Sequence, residues 1–310
     1  MPKLDLTKAT RIKTAGGELA RLRIGAALWI RPVISITSGS GYAGSVYSST
    51  VAGQWTADGV AIAGATGTVW TMTAAYEGKA IRCGGSNVIQ MWTPAAVTSG
   101  RVAWLSPRWS QTIAAGKIVE LPDRWGANPF SQAVAASQLS STTINGYAAA
   151  LGIAGVDAYL QSGNALIVGY AFFVASYTNT GGLFTNWSTL LAQGAGYGSF
   201  QGRNAAATWS AMSARSNGGD LTTSAAAVLS AKSIISAIPR QPTTSIVQRI
   251  GMQSTGTGWI GPIYEAILLT TEPDTATREM IEGYLAWTQG LSASLPAAHP
   301  YKSAAPQVIA

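Results

Sequence analysis

The stretch from Ile263 to Pro306 reads IYEAILLTTEPDTATREMIEGYLAWTQGLSASLPAAHPYKSAAP and combines two kinds of pattern. Its opening, IYEAILL, is rich in β-branched and large apolar residues and is typical of a strand. From Asp274 to Thr288 apolar residues recur three and four positions apart, which predicts a helix with Asp274 as N-cap and Gly290 as its stop. The apolar stripe is narrow, so we expect a surface helix that, with the tail to Lys302, clamps a sheet. Its members are Ala276, Met280, Ile281, Tyr284 and Leu285.

The composition of the whole chain points to the all-β class. Only 11% of the 310 residues are charged, whereas about 25% is usual for soluble domains. Thirty-five glycines and many small polar residues favour short strands joined by tight turns. Among these strands, the apolar run Leu166–Val174 is expected to be buried on both faces.

The apolar segments and the single cysteine bear on where the protein is made and on its redox environment. The opening residues carry no apolar segment of a signal peptide, and the apolar stretch from Ala165 to Tyr177 is shorter than the roughly 20 residues that span a bilayer. The single cysteine, Cys83, excludes an intrachain disulfide and is expected to be a small buried core residue. We therefore expect a protein made soluble in a reducing cytoplasm, without membrane insertion.

Most of the positive charge lies near the N-terminus. Residues 1–31 hold seven basic and two acidic side chains, a net of +5 out of +7 for the chain. The segments ATRIKT and ELARLRIG flank Gly16-Gly17 and predict a basic two-stranded ribbon. So small a ribbon is marginal alone, so we expect it to dock on a partner. The predicted docking residues are Arg11, Lys13, Arg21, Arg23 and Trp29. Nucleic acid is not the expected partner, since the arm lacks interleaved aromatic residues.

Residues 32–95 show turn residues about every ten positions, which predicts a small sandwich. Asp58-Gly59 is a hairpin signal, and Trp55 and Trp70 are large enough to seed a core. A resemblance to the bacterial and phage immunoglobulin-like repeat is carried by Trp55, Asp58-Gly59, Ile62, Gly64-Ala65-Thr66, Tyr76-Glu77-Gly78 and Ile81-Arg82-Cys83. Residues 93–100 form the candidate linker.

Residues 100–310 resemble the concanavalin A-like lectin (laminin G-like) domains carried by phages. The resemblance rests chiefly on the C-terminal run, with Asp123–Gly126 and Val156–Leu160 in the places of the family's D-x-S-G-N turn and D-x-Y-L strand. Thr288-Gln289 departs from the Lys-Trp pair that the family often has. The resemblance implies a large jelly-roll sandwich, and it does not imply an activity. The matching residues in the run are Gly261, Ile263, Glu265, Ile267, Leu268, Ile281–Ala286, Gly290, Leu291, Leu295, Pro296 and His299–Lys302.

Catalysis, metals and cofactors find little support in the sequence. Related glycosidases place two carboxylates on one strand as E-x-D-x-x-E, and no acids here have that spacing. Glu120 and Asp123 flank Pro122, and Glu279 and Glu282 fall on the predicted surface helix. The one histidine, His299, is read as a packed tail residue. Asp123, Asn128, Asp157 and Asn164 could ligate calcium, but turn and strand roles explain them. We expect no enzyme, no metal and no cofactor.

The remaining functional signal is aromatic, because exposed rings stack on sugars. Trp109, Trp125, Trp187, Trp209 and Trp259 lie beside small polar residues that favour loops. The predicted carbohydrate-binding residues are Tyr197, Trp125, Trp187 and Trp209.

Together these patterns predict a structural protein on the surface of a phage-type virion. The N-terminal ribbon would contact other virion proteins, and the lectin-like module would contact host glycans. The alternative is a ligand-free capsid decoration or tail scaffold. Homo-oligomerisation, and a tail or capsid location, stay open.

Overall fold

The computed structural model describes residues 9–13, 19–24, 27–30, 32–153, 156–176, 188–193, 197–203, 206–208, 213–220, 231–238, 247–252 and 258–308, with backbone alone in 9–30, 165, 188–208, 213, 214, 237, 247 and 248. The chain divides into two compact units, Met1–Trp92 with Gln307–Ala310, and Thr93–Pro306. The C-terminal residues thus group with the first unit, whereas the sequence was expected to end inside the lectin-like domain.

Antiparallel strands dominate both units, and the described residues contain one α-helix, so the predicted all-β class is confirmed. The first unit holds β1 Ala9–Lys13, β2 Leu19–Ile24, β3 Ala27–Ile30, β4 Ile34–Ser38, β5 Val46–Ala57, β6 Val60–Thr71 and β7 Ile81–Cys83. The large unit holds β8 Arg101–Leu105, β9 Thr112–Ala114, β10 Lys117–Leu121, β11 Phe130–Ser131, β12 Ser140–Ile144, β13 Tyr147–Gly152, β14 Leu160–Ala165, β15 Tyr170–Ala175, β16 Ser188–Gln193, β17 Tyr197–Arg203, β18 Ala206–Thr208, β19 Ser213–Ser216, β20 Gly219–Asp220, β21 Ser233–Ile238, β22 Val247–Ile250, β23 Gly261–Leu269 and the helix α1 Thr275–Thr288.

The N-terminal segment forms an antiparallel sheet in the order β1-β2-β3. The predicted pairing of β1 with β2 is confirmed, and its turn, residues 14–18, lies outside the described residues. The third strand was not predicted, because ALWI reads as an apolar end to the segment. Register splits the predicted docking residues between two faces. Arg11 aligns with Leu22 and Trp29, Arg21 and Arg23 belong to the opposite face, and Lys13 follows a register shift.

The second sheet of the first unit has the order β4-β5-β6, with β7 also paired to β5. Asp58 and Gly59 both have positive φ, 50° and 81°, as a tight hairpin turn between β5 and β6 requires. Trp55 and Cys83 are fully buried in its core, and the Trp70 ring lies 6.0 Å from that of Trp55. The predicted hairpin and core residues are confirmed, while the immunoglobulin-like architecture stays a prediction.

In the large unit, sixteen described strands form one antiparallel sheet in which β23 pairs with β8, β13 and β15. Every residue of β15 and of β23 is buried. The strand predicted at 166–174 is buried as expected from Tyr170, where β15 begins, but its start is wrong, and Ile167 before it is exposed. The apolar core includes Phe130, Phe173 and Leu268, while α1 packs on the other face of β23.

Helix α1 begins and ends as its sequence predicts. The Asp274 carboxylate accepts a hydrogen bond of 2.7 Å from the Thr277 amide, which lowers the pKa of Asp274. Gly290 has φ of 70°, and the amide of Leu291 donates to the Ala286 carbonyl at 2.6 Å, which closes the C-terminus.

The prediction of a surface helix with a narrow stripe is wrong. All six residues of Ile281–Ala286 are buried, while Ala276 is exposed and Met280 is half-buried. The reason is the tail, which covers the side of α1 that faces away from the sheet. A Cβ on Gly283 would lie 2.7 Å from the Tyr301 side chain, and Trp287 Nε1 donates to the Tyr301 carbonyl at 2.8 Å. The tail thus packs on α1, and α1 lies between the tail and the sheet.

Ile281→Ala should lower the free energy of unfolding by about 2 to 5 kcal/mol, because a fully buried side chain leaves a cavity. Chemical denaturation of the full chain measures this. Met280→Ala, one residue earlier and half-buried, is the matched control and should cost less. Equal losses for the two variants would contradict the burial of Ile281.

Candidate binding site

Three tryptophans and three arginines gather where strands β8 and β10 run into loops. We call them the arginine–tryptophan cluster. Its members are Arg101, Trp104, Arg108, Trp109, Arg124 and Trp125. Trp104 is buried, Trp109, Trp125 and Arg108 are half-buried, and Arg101 and Arg124 are exposed. The cluster therefore runs from the interior of the large unit to its surface.

Trp104 is the buried anchor of the cluster. Its ring lies 5.8 Å from the Trp109 ring, 6.2 Å from the Trp125 ring and 5.8 Å from the Tyr284 ring of α1. Its Nε1 donates to Glu265 Oε1 at 2.7 Å. The ring position is thus set from beneath by an acid on β23.

Glu265 is 1% exposed, and three side chains donate to its carboxylate. Besides Trp104, the Tyr284 hydroxyl donates to Oε1 at 3.2 Å, and Gln289 Nε2 donates to Oε2 at 3.0 Å. Burying a carboxylate is costly unless such donors replace the lost water. In the pairing of β15 with β23, Val174 aligns with Glu265 and Ala175 aligns with Ile263, so Tyr264 has no partner on β15. Such a register shift changes the direction of the neighbouring side chains.

The loop that carries Arg124 and Trp125 is held by Asp123. One carboxylate oxygen accepts from the amides of Trp104 and Trp125 at 2.8 and 2.9 Å. The other accepts from the amides of Ala127 and Asn128 at 3.0 Å each. These four bonds tie the loop to β8 and fix the backbone from which both side chains project.

The guanidinium groups stack on the indole rings. Arg124 Cζ lies 3.7 Å from the centre of the Trp109 ring and 5.3 Å from that of Trp104. Arg108 Cζ lies 4.7 Å from the Trp109 ring, and Arg101 Cζ lies 5.8 Å from the Trp125 ring. Such contacts contribute about 0.5 to 2 kcal/mol each. They hold flexible side chains in fixed positions beside half-buried rings.

Of the four predicted carbohydrate-binding residues, Trp125 is the one with a described side chain, and it belongs to the cluster. Its Nε1 donates to the Pro94 carbonyl at 3.2 Å, so the predicted linker at 93–100 packs here within the large unit. Tyr197 was expected in a loop but begins strand β17, opposite Gln193. Trp187 and Trp209 lie outside the described residues. Trp259, which was not among these four, is fully buried.

The candidate calcium ligands have internal partners. Asp123 accepts four backbone amides, and Asn128 Nδ2 donates to the Val102 carbonyl at 2.7 Å. Asn164 Nδ2 donates to Asn128 Oδ1 at 3.0 Å, and Asp157 also has a polar partner. No group of three or more His, Cys, Asp or Glu side chains within the described ranges could hold a metal ion.

A second buried acid, Glu282, ties the tail to the helix, contrary to its predicted surface position. Its side chain is fully buried and accepts from Arg215 Nε at 3.2 Å and from the Ser236 hydroxyl at 3.3 Å. His299 Nε2 lies 3.4 Å from its other oxygen. His299 is 7% exposed, which confirms its prediction as a packed tail residue.

Sequence reasoning missed Arg108, Arg124 and Trp104 as site residues. A signal was present, because the dipeptide Arg-Trp occurs at 108–109 and again at 124–125, each time in a turn-like setting. Reading each tryptophan alone hid the repeated pair.

Comparisons of the chain with protein-family profiles, curated proteins and solved structures find no match. In the part of the chain that the structure describes, no helix is long and apolar enough to cross a membrane.

Glu265→Gln should lower the free energy of unfolding by about 2 to 4 kcal/mol. Both oxygens of Glu265 accept hydrogen bonds, whereas the NH2 group of glutamine is a donor and would face a donor at one of the two positions. Denaturant titration measures the change. Glu279→Gln, at a less buried carboxylate on α1, is the control and should change stability by less than about 0.5 kcal/mol. A neutral effect of Glu265→Gln would mean that the carboxylate is not required.

Lys232 lies at a second aromatic site in the large unit. Its Nζ lies 3.2 Å from the centre of the Tyr147 ring and 4.5 Å from that of Tyr264. The nitrogen is buried and finds no hydrogen-bond acceptor among the described residues. Burial lowers the pKa of Lys232 from 10.5 to about 8.

Stability should therefore rise with pH between about 8 and 9.5, since in this window the unfolded chain binds a proton at Lys232 that the folded chain has released. Because Lys232 is only partly buried, we expect a gain of about 1 kcal/mol, measured by denaturation at each pH. Lys232→Met should remove this slope. An equal slope in the variant would assign it to other groups.

Proposed function

We propose that this chain is a structural protein of a phage or phage-like particle, assembled in the host cytoplasm and exposed on the particle surface. In this proposal the N-terminal sheet docks on other virion proteins, and the large unit contacts glycans of the host cell. The particle context rests on the resemblance of residues 263–306 to phage-borne lectin-like domains. The proposal includes no catalytic step.

The observation that carries glycan contact is the presence of two half-buried tryptophan rings, Trp109 and Trp125, each of which contacts the ring of the buried Trp104. The exposed rims of these rings offer apolar area to the C–H groups of sugars. Because Trp104 and the Asp123 loop fix these rings, little conformational entropy is lost on binding. This preorganisation supports a binding surface over a featureless structural one.

Docking through the N-terminal sheet is supported by charge and by register. The sheet has three short strands, and the segment to residue 31 carries +5 of the net +7. Arg21 and Arg23 share one face, and Arg11 aligns with Trp29 on the other. Each face thus combines arginine with apolar residues, a composition suited to acidic protein surfaces.

Trp109→Ala should lower affinity for bound glycans at least tenfold, a loss of about 1.4 kcal/mol. A glycan array of neutral and acidic oligosaccharides, probed with the labelled full chain, supplies the ligands. Trp70→Ala, which removes a half-buried tryptophan of the first unit, is the control and should bind as the parent does. If no glycan binds while the protein still enters particles, the ligand-free decoration or scaffold role replaces this proposal.

Deleting residues 1–31 should leave a folded, soluble protein that no longer enters particles, because the docking sheet is gone. Copy number in purified particles measures incorporation. The double variant Arg21→Glu/Arg23→Glu tests one face of the sheet, and Arg11→Glu tests the other. We expect the double variant to lower incorporation more, since it reverses two charges on one face. Normal incorporation of the truncated chain would contradict docking by this segment.

A further inference from the structure

We propose that the arginine–tryptophan cluster selects acidic sugars, with the carboxylate of a uronic acid residue held by Arg124 and the glycan lying against the exposed rims of Trp109 and Trp125. This inference rests on the proposed glycan-binding function and names the ligand class of the same site.

Arg124 has the placement that an anion receptor needs. It is exposed, and its guanidinium stacks on Trp109 at 3.7 Å. Contact with an aromatic ring uses none of the hydrogen-bond donors of the guanidinium. No described residue accepts a hydrogen bond from this side chain, whereas its backbone amide donates to the Trp104 carbonyl at 2.8 Å. The planar fork of arginine matches a carboxylate with two parallel hydrogen bonds.

The charges around Arg124 favour an anion. Arg108 lies 4.7 Å from the same Trp109 ring, and Arg101 lies beside Trp125. The two neighbouring carboxylates, Asp123 and Glu265, are buried, and each already accepts hydrogen bonds on both oxygens. What the cluster presents to solvent is therefore positive and made of donors.

The donor inventory separates an acidic sugar from a neutral one. Guanidinium groups have no acceptor, and indole Nε1 is a donor only. The hydroxyl oxygens of a neutral sugar can accept from these donors, but its O–H groups would find no acceptor in the cluster. A uronic acid brings a charged group that only accepts, together with a ring that has apolar C–H faces.

The same chemistry argues against single-stranded nucleic acid, which is also anionic. Nucleotide bases stack on open faces of aromatic rings. Here the Trp109 ring carries Arg124 and the Trp125 ring carries Arg101. The rims of the rings and the edges of the guanidinium groups remain, and these suit a carboxylated sugar better than a base.

The test compares oligogalacturonate with its fully methyl-esterified form, which has the same ring without the charge. Binding to the full chain is measured by calorimetry at about 50 and 300 mM salt. We expect the acid to bind at least tenfold more tightly than the ester at low salt, and to lose affinity as salt rises. Arg124→Gln should remove this preference, and Arg124→Lys should recover only part of it, because lysine keeps the charge without the fork.

Arg82→Gln, at an exposed arginine of the first unit, is the matched control and should bind as the parent does. Equal binding of acid and ester, with Arg124→Gln unchanged, would overturn the selectivity while glycan binding stands. No binding of either form, or of any array glycan, would overturn both proposals. Tighter binding of an oligothymidylate that Arg124→Gln abolishes would reassign the cluster to nucleic acid.

Discussion

The buried carboxylate of Glu265 is the constraint around which the large unit is arranged. An ion with so little exposure must be surrounded by donors, and these come from β8, from the middle of α1 and from the residue that caps its C-terminus. These hydrogen bonds fix the positions of β8 and α1 against β23. Replacing Glu265 by an apolar residue would remove the hydrogen bonds that orient β8 and α1. A buried, hydrogen-bonded charge of this kind contributes more to the specific arrangement of the fold than to its net stability.

The arginine–tryptophan cluster inherits this geometry. Trp104 faces Glu265 on its polar side and the half-buried rings on its apolar side, so one indole connects the interior to the surface. Arg108 reaches the same interior by donating to the Tyr284 hydroxyl at 3.3 Å. Surface arginines usually sample many rotamers. Here stacking and hydrogen bonds restrict them, so the surface that a ligand would meet exists before it binds.

Local signals allowed the all-β class, the Asp58-Gly59 turn and the Asp274 cap to be predicted, since each depends on neighbours within a few residues. The buried acids could not be predicted in this way. Glu282 has a polar position in a helical pattern, and Arg215 lies 67 residues away in sequence. Glu265 and Trp104 are 161 residues apart. Nor does alternation along β23 reveal the register shift at Tyr264, because a strand buried on both faces shows no alternation. Of the cluster, the sequence predicted Trp125 as a binding residue. Its arginines were missed because they were considered only as positive charge and not as partners of aromatic rings.

The chain leaves the first unit after Trp92 and returns to it at Gln307, where Gln307 pairs with Met91 and the Val308 amide donates to the Gln90 carbonyl at 2.8 Å. The two ends of the large unit thus leave from adjacent, paired positions in the first unit. In sequence, the large unit is therefore inserted between two paired segments of the first unit. A gene segment encoding another fold with neighbouring ends could replace it while the basic sheet and the paired ends of the first unit are kept. Under the proposed function, such an exchange would change the ligand that is bound and keep the sheet that is proposed to dock.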